Sequence, residues 1–103
     1  MIKSLIIPNH VSYEIIQAAE VATGYNLKQL RIPHGKGLKP LSVQVTIYLL
    51  NKRARMRPSS IGRLLKRSPT TTTSAIERVQ GFIDVKDEKT LELIAKFETF
   101  LDK

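Results

Sequence analysis

Apolar residues return along this chain at intervals of three and four, and glycines, prolines and polar clusters interrupt them. That period predicts helices rather than strands. Residues 1–10 read as a short arm ending at Pro8-Asn9-His10. A first helix starts near Ser12 as N-cap, carries Ile15, Ile16, Ala19 and Ala22 on one face, and ends at Gly24. A short second helix, about Asn26 to Arg31, turns Leu27 and Leu30 inward. Two prolines and two glycines between Ile32 and Pro40 forbid regular structure, so this stretch reads as a basic loop. A third helix runs from about Leu41 to Arg53. Its face is Leu41, Val45, Tyr48 and Leu49, thickened by Val43 and Ile47. Its β-branched residues would also suit a strand, but its length and polar tail decide for a helix. Pro58 closes that segment.

A fourth helix is predicted from Ser59 or Ser60 to Lys66, with Ile61, Leu64 and Leu65 as its apolar set. A fifth opens at Ser68-Pro69, an N-cap serine followed by proline at the first helical position. Ile76, Val79 and Ile83 form its inward face. The last helix, within 87–102, carries Leu91, Ile94, Ala95, Phe97 and Leu101 as its stripe. The pattern therefore predicts an all-α bundle of about five to six helices in a single domain, residues 1–103.

Composition agrees with that picture. Apolar residues make up 42% of 103 residues, enough for one packed core in a domain of this size. Cysteine is absent, which excludes disulfides and thiolate metal sites. No apolar run could span a bilayer, and the first residues lack a signal-peptide core. A cytoplasmic, nucleoid-associated protein with no membrane contact is the expectation.

Charge changes the picture more. The net charge is +8, but residues 1–30 balance to zero and residues 79–103 to −2. Residues 31–78 hold eleven Lys and Arg against the single acid Glu77. A concentrated field of this kind attracts polyanions and speeds their encounter. The fourth and fifth predicted helices lie inside this basic span and are joined by about two residues, Arg67 and Ser68. Two short helices so joined, at about 59–83, form a helix-turn-helix, whose second helix enters the major groove of DNA. Its first turn here is Pro69-Thr70-Thr71-Thr72-Thr73. Threonine is a poor helix former, so four in succession do not serve helix stability. They offer hydroxyls to phosphates and bases and methyls to thymine. Candidate base contacts are Arg67, Ser68, Thr70, Thr71, Ser74 and Arg78. Candidate contacts to phosphates or an adjacent groove are Lys36, Lys39, Lys52, Arg53, Arg55, Arg57, Arg63 and Lys66.

Tyr25-Asn26-Leu27, the basic loop, Val45-Thr46-Ile47-Tyr48-Leu49, Ile61-Gly62 and Arg67-Ser68-Pro69-Thr70-Thr71-Thr72 with Ala75 follow one another in an order that resembles a known family. It is the C-terminal DNA-binding domain, domain IV, of the bacterial replication initiator DnaA. The likeness covers most of residues 11–83. It implies a Trp-repressor-like fold, major-groove reading by the helix after the turn, and a basic residue from the loop in the minor groove, where this chain offers Lys36 or Lys39. Ser68-Pro69 stands where the family carries its base-reading Asp-His pair, so the family's target sequence does not transfer. No phosphate-binding loop of the Walker type is present, so the resemblance implies the DNA-binding module without the ATPase.

Other chemistry finds no support in the residues. His10 and His34 lie in unrelated segments without metal-ligand spacing. Asp84, Asp87, Glu88 and Glu92 span a helix boundary and the first turn of a helix, where acids suit the dipole. Ser42, Ser59, Ser60 and Ser68 have no base beside them. The expectation is therefore a non-enzymatic binder of double-stranded DNA, acting in replication or transcription control, with no cofactor and no small-molecule substrate. The competing expectations are a protein-interaction adaptor whose basic face meets a protein partner, and an accessory domain of a transposase or recombinase.

Overall fold

The computed structural model describes residues 10–32 and 39–102. These form six helices and no strand: α1 (His10–Thr23), α2 (Leu27–Leu30), α3 (Pro40–Lys52), α4 (Pro58–Leu65), α5 (Pro69–Asp84) and α6 (Glu88–Leu101). The predicted arm up to Asn9, and Lys36 with most of the basic loop, lie outside the described residues.

Local chemistry explains most of the boundaries. The Asn26 side chain accepts from the Gln29 N–H at 2.9 Å, and Gln29 returns the bond to the Asn26 N–H at 2.9 Å. This reciprocal capping box starts the single turn of α2. Ser68 and Asp87 cap α5 and α6 by accepting from the N–H groups of Thr71 and Thr90. Gly24, at φ 85°, ends α1 in the left-handed region that glycine adopts without a Cβ penalty.

Two starts differ from expectation. Helix α1 begins at His10, and Ser12 lies buried inside it with its hydroxyl donating to the Met56 Sδ at 3.2 Å. Helix α4 begins at Pro58, with Arg57 as N-cap, rather than at Ser59 or Ser60. Proline already holds the helical φ and has no N–H to leave unpaired, so it opens this helix instead of closing the preceding segment.

Helix α3 is the central element. Ser42, Val43, Val45, Thr46, Ile47, Leu49 and Leu50 are all buried along it, because neighbours cover it on several sides: α1, α4, α5 and α6 all pack against it. The β-branched run that would have suited a strand is a helix wrapped in protein. Helix α6 lies mainly against α1, and α5 lies against α3 and α4. Phe97, the largest fully buried side chain, seats α6 in the shared core, where burying a residue of this size is worth about 1.5–3 kcal/mol.

The stripe of α6 is rotated from the predicted one. Thr90, Leu93, Ile94, Phe97, Phe100 and Leu101 face the protein, whereas Leu91 is 39% exposed and Ala95 is exposed. The inward face of α5 is likewise Thr72, Ala75 and Val79, with Ile76 and Ile83 half-buried beside it.

Candidate nucleic-acid interface

The site is built around the link between α4 and α5. Three residues, Lys66 to Ser68, join them, one more than expected. Lys66 takes φ 57° and ψ 48°, and the Arg67 N–H donates to the Gly62 carbonyl at 2.7 Å. The chain therefore turns sharply back across the end of α4. Gly62 makes this approach possible. A Cβ there would press into the Arg67 carbonyl oxygen and stand 3.3 Å from the Thr72 Oγ1. Thr72 completes the corner: its fully buried hydroxyl donates to the Ser68 carbonyl at 2.9 Å.

The threonine run divides by face. Thr72 belongs to the packing, while Thr70, Thr71, Thr73, Ser74, Glu77 and Arg78 are exposed. Ser68 and Thr71 bond each other: the Thr71 N–H donates to the Ser68 Oγ at 3.1 Å, and the Ser68 hydroxyl donates to the Thr71 Oγ1 at 2.9 Å. That arrangement fixes the Thr71 oxygen and leaves its own hydrogen to donate outward. A second tie holds α5 against α3. The Tyr48 hydroxyl donates to the Gln80 Oε1 at 2.8 Å, and the Gln80 amide donates to the Asp84 Oδ1 at 3.0 Å. Burial, with a smaller effect from the Asp84 charge, pushes the Tyr48 phenol above its usual range.

The cations separate into four sets. Lys52, Arg55 and Arg57 line an open cup of about 370 Å³ between α3 and α4, floored by Met56. The Asn51 amide closes its loop by donating to the Met56 carbonyl at 2.9 Å. Arg63, Lys66 and Arg78 are exposed on α4, the turn and α5. Among the described residues, none of these six has a carboxylate partner within ion-pair distance. Arg53 differs: it pairs with Glu98 at 3.8 Å and Asp102 at 3.3 Å near the end of α6. Lys39 lies on another side of the fold, in a cleft with α6.

Arg67 turns toward the protein. Its guanidinium donates to the Leu65 carbonyl at 2.9 Å and the Ile32 carbonyl at 3.0 Å. Burial lowers its pKa from the ordinary arginine value. Arg31 reaches the other way, its Nε donating to the Leu64 carbonyl at 2.7 Å. The two arginines thus clasp the residues after α2 to the last turn of α4, where unpaired carbonyls attract cations. Sequence reasoning missed Arg31 and read Arg67 as reaching outward. No local signal marks the clasp, because the Ile32 carbonyl that meets Arg67 and the Leu64 carbonyl that meets Arg31 each lie more than thirty residues away.

Among the described residues, three non-glycine residues have positive φ: Arg55, Lys66 and Lys86. All are basic, and each follows the end of a helix. No described group of His, Asp and Glu is arranged to hold a metal ion, and no described helix is long and apolar enough to cross a membrane. Comparison of the chain with family models, curated proteins and solved structures finds no match.

Proposed function

We propose that this protein binds double-stranded DNA with sequence selectivity, using α4, its turn and α5 as a helix-turn-helix. The observation that carries this reading is the division of α5. Its packing rests on Thr72, Ala75 and Val79, while Thr70, Thr71, Thr73, Ser74 and Arg78 stand exposed at its start and along its outer side. A helix whose first turn sacrifices propensity to threonine, at an N-terminus favourable to anions, suits the reading helix of such a motif. Thr70, Thr71, Ser74 and Arg78 would meet base edges. Lys52, Arg55, Arg57, Arg63 and Lys66 would meet phosphates and set the register without reading sequence. The inward bonds of Arg67 and the mutual bond of Ser68 and Thr71 make Thr71 the better-placed reader of the turn. The resemblance to DnaA domain IV supports the same arrangement and a role in replication or transcription control.

In-vitro selection from a random duplex library tests the proposal and returns a site. With about five phosphates neutralised, log affinity for the selected duplex should fall against log salt with a slope of about −4.5. Thr71→Ala should relax base preference at one position, and Arg55→Ala should weaken all duplexes alike. Failure to enrich any duplex, or binding indifferent to salt, overturns the reading. Identical effects of the two substitutions would refute the division of roles.

A further inference from the structure

A second basic feature stands apart from α4 and α5. A cleft of about 300 Å³ opens between the end of α1, the start of α3 and one face of α6. Lys39 enters it from the N-cap of α3, and Lys89 and Lys96 from α6. Glu92 also lines it, three residues after Lys89 and four before Lys96, and leaves the cleft's four charges with a balance of +2. Glu92 forms no ion pair with either lysine within 4.0 Å, so neither ammonium group is engaged by it.

Ser42 supplies the decisive detail. It is only 5% exposed, lines the cleft, and its hydroxyl bonds to none of the described residues. Among the described residues no buried side-chain oxygen is sealed away without a partner, so this hydroxyl keeps some access to solvent, and Ser42 lines the cleft. No protein group engages it, so it is left to donate to water or to a ligand that enters the cleft. The start of α3 adds the positive end of a helix dipole; Pro40 has no N–H and the Ser42 N–H donates to the Lys39 carbonyl at 3.0 Å, so the dipole acts here through its charge.

We propose that this cleft binds a phosphoryl group. Lys39, Lys89 and Lys96 supply charge as mobile ammonium groups, and Ser42 supplies a donor fixed by packing. Its size falls at the lower end of ligand pockets, which fits a phosphate with a small remainder attached. The phosphate comes from one of two sources: a free phosphate or small phosphate ester, or a phosphodiester of DNA lying beyond the reach of α4 and α5.

Amide NMR signals of the protein titrated with inorganic phosphate, at ionic strength held constant with chloride, test the site. The Thr23, Leu41 and Ser42 signals should move and saturate in the millimolar range. Ser42→Ala should weaken that binding several-fold, and Lys89→Gln with Lys96→Gln should abolish saturation while the dispersion of the spectrum stays native. A wild-type titration that never saturates overturns the site, as does saturation that survives the double lysine change. A duplex arm then assigns the source. A salt slope reduced by about 1 to 2 in the double lysine variant points to a DNA phosphate. An unchanged slope points to a free phosphate. The first arm contains no DNA, so it stands or fails separately from the duplex reading.

Discussion

The absent side chain at Gly62 lets the Arg67 carbonyl come down on α4, and Thr72 then packs into the corner with its hydroxyl on Ser68. Gly62→Ala is expected to destabilise the protein by about 1–3 kcal/mol, because the crowding atom is backbone and cannot rotate away. Thermal unfolding should show it as a fall in Tm of about 4–8 °C for each kcal/mol. An unchanged Tm would mean that the turn is not held as described. The sequence shows Gly62 but not its task, since its neighbour in space is five residues on. Lys66 is harder still to read. It holds a left-handed conformation that normally announces itself as glycine or asparagine. The face of Thr72 became legible only with packing, because four identical residues carry no pattern that distinguishes inside from outside.

Helices were the most legible scale. Ser68-Pro69, Asn26 and the acids near Asp87 mark starts through bonds made within three residues, and such bonds are written locally. The orientation of α6 was not legible in the same way. Leu91 and Ala95 continue its apolar period, but α1 and α3 meet the other edge of that stripe. The cap of α6 also gives stability a pH dependence. Hydrogen bonds from the Thr90 hydroxyl and N–H, at 2.7 and 3.0 Å, hold the Asp87 carboxyl below its usual range. A carboxylate whose pKa is lower when folded stabilises fully above its unfolded pKa of about 3.9 and loses that contribution as pH falls through the folded value. Asp87→Asn keeps a capping side chain but removes the titration. The gap in Tm between wild type and this variant should therefore change between about pH 5 and about pH 2 and stay flat above that range. A gap constant throughout would show that Asp87 does not carry this dependence.

At the scale of the whole molecule, the basic middle of the chain is met by acids from its end. Glu98 and Asp102 reach back to Arg53, the one cation of the sequence-predicted phosphate contacts that pairs with acids among the described residues. Segment charge balances were readable from sequence, but this contact joins positions about fifty residues apart and was not. Glu98→Gln with Asp102→Asn should release Arg53 and raise duplex affinity by about twofold to fivefold at low salt, in keeping with the small worth of exposed ion pairs. A gel-shift titration measures it, and an unchanged or weaker affinity would place Arg53 off the path of the DNA. The all-helical class followed from apolar spacing, with length and a polar tail deciding for α3. The cleft beside α6 did not, because its lysines and Ser42 come from segments that only tertiary packing unites.

The arginine clasp also bears on modularity. Arg67 sits in the turn but binds a carbonyl at Ile32, and Arg31 lies far upstream but binds one at Leu64. Each half of the exchange lies on a different side of any cut that would excise α4 and α5 as a cassette. A chimaera carrying residues 57–84 alone would inherit a guanidinium without its distant acceptor and a carbonyl without its donor. Any portable unit is therefore discontinuous: it needs Arg31-Ile32, and also α3, against which α5 packs.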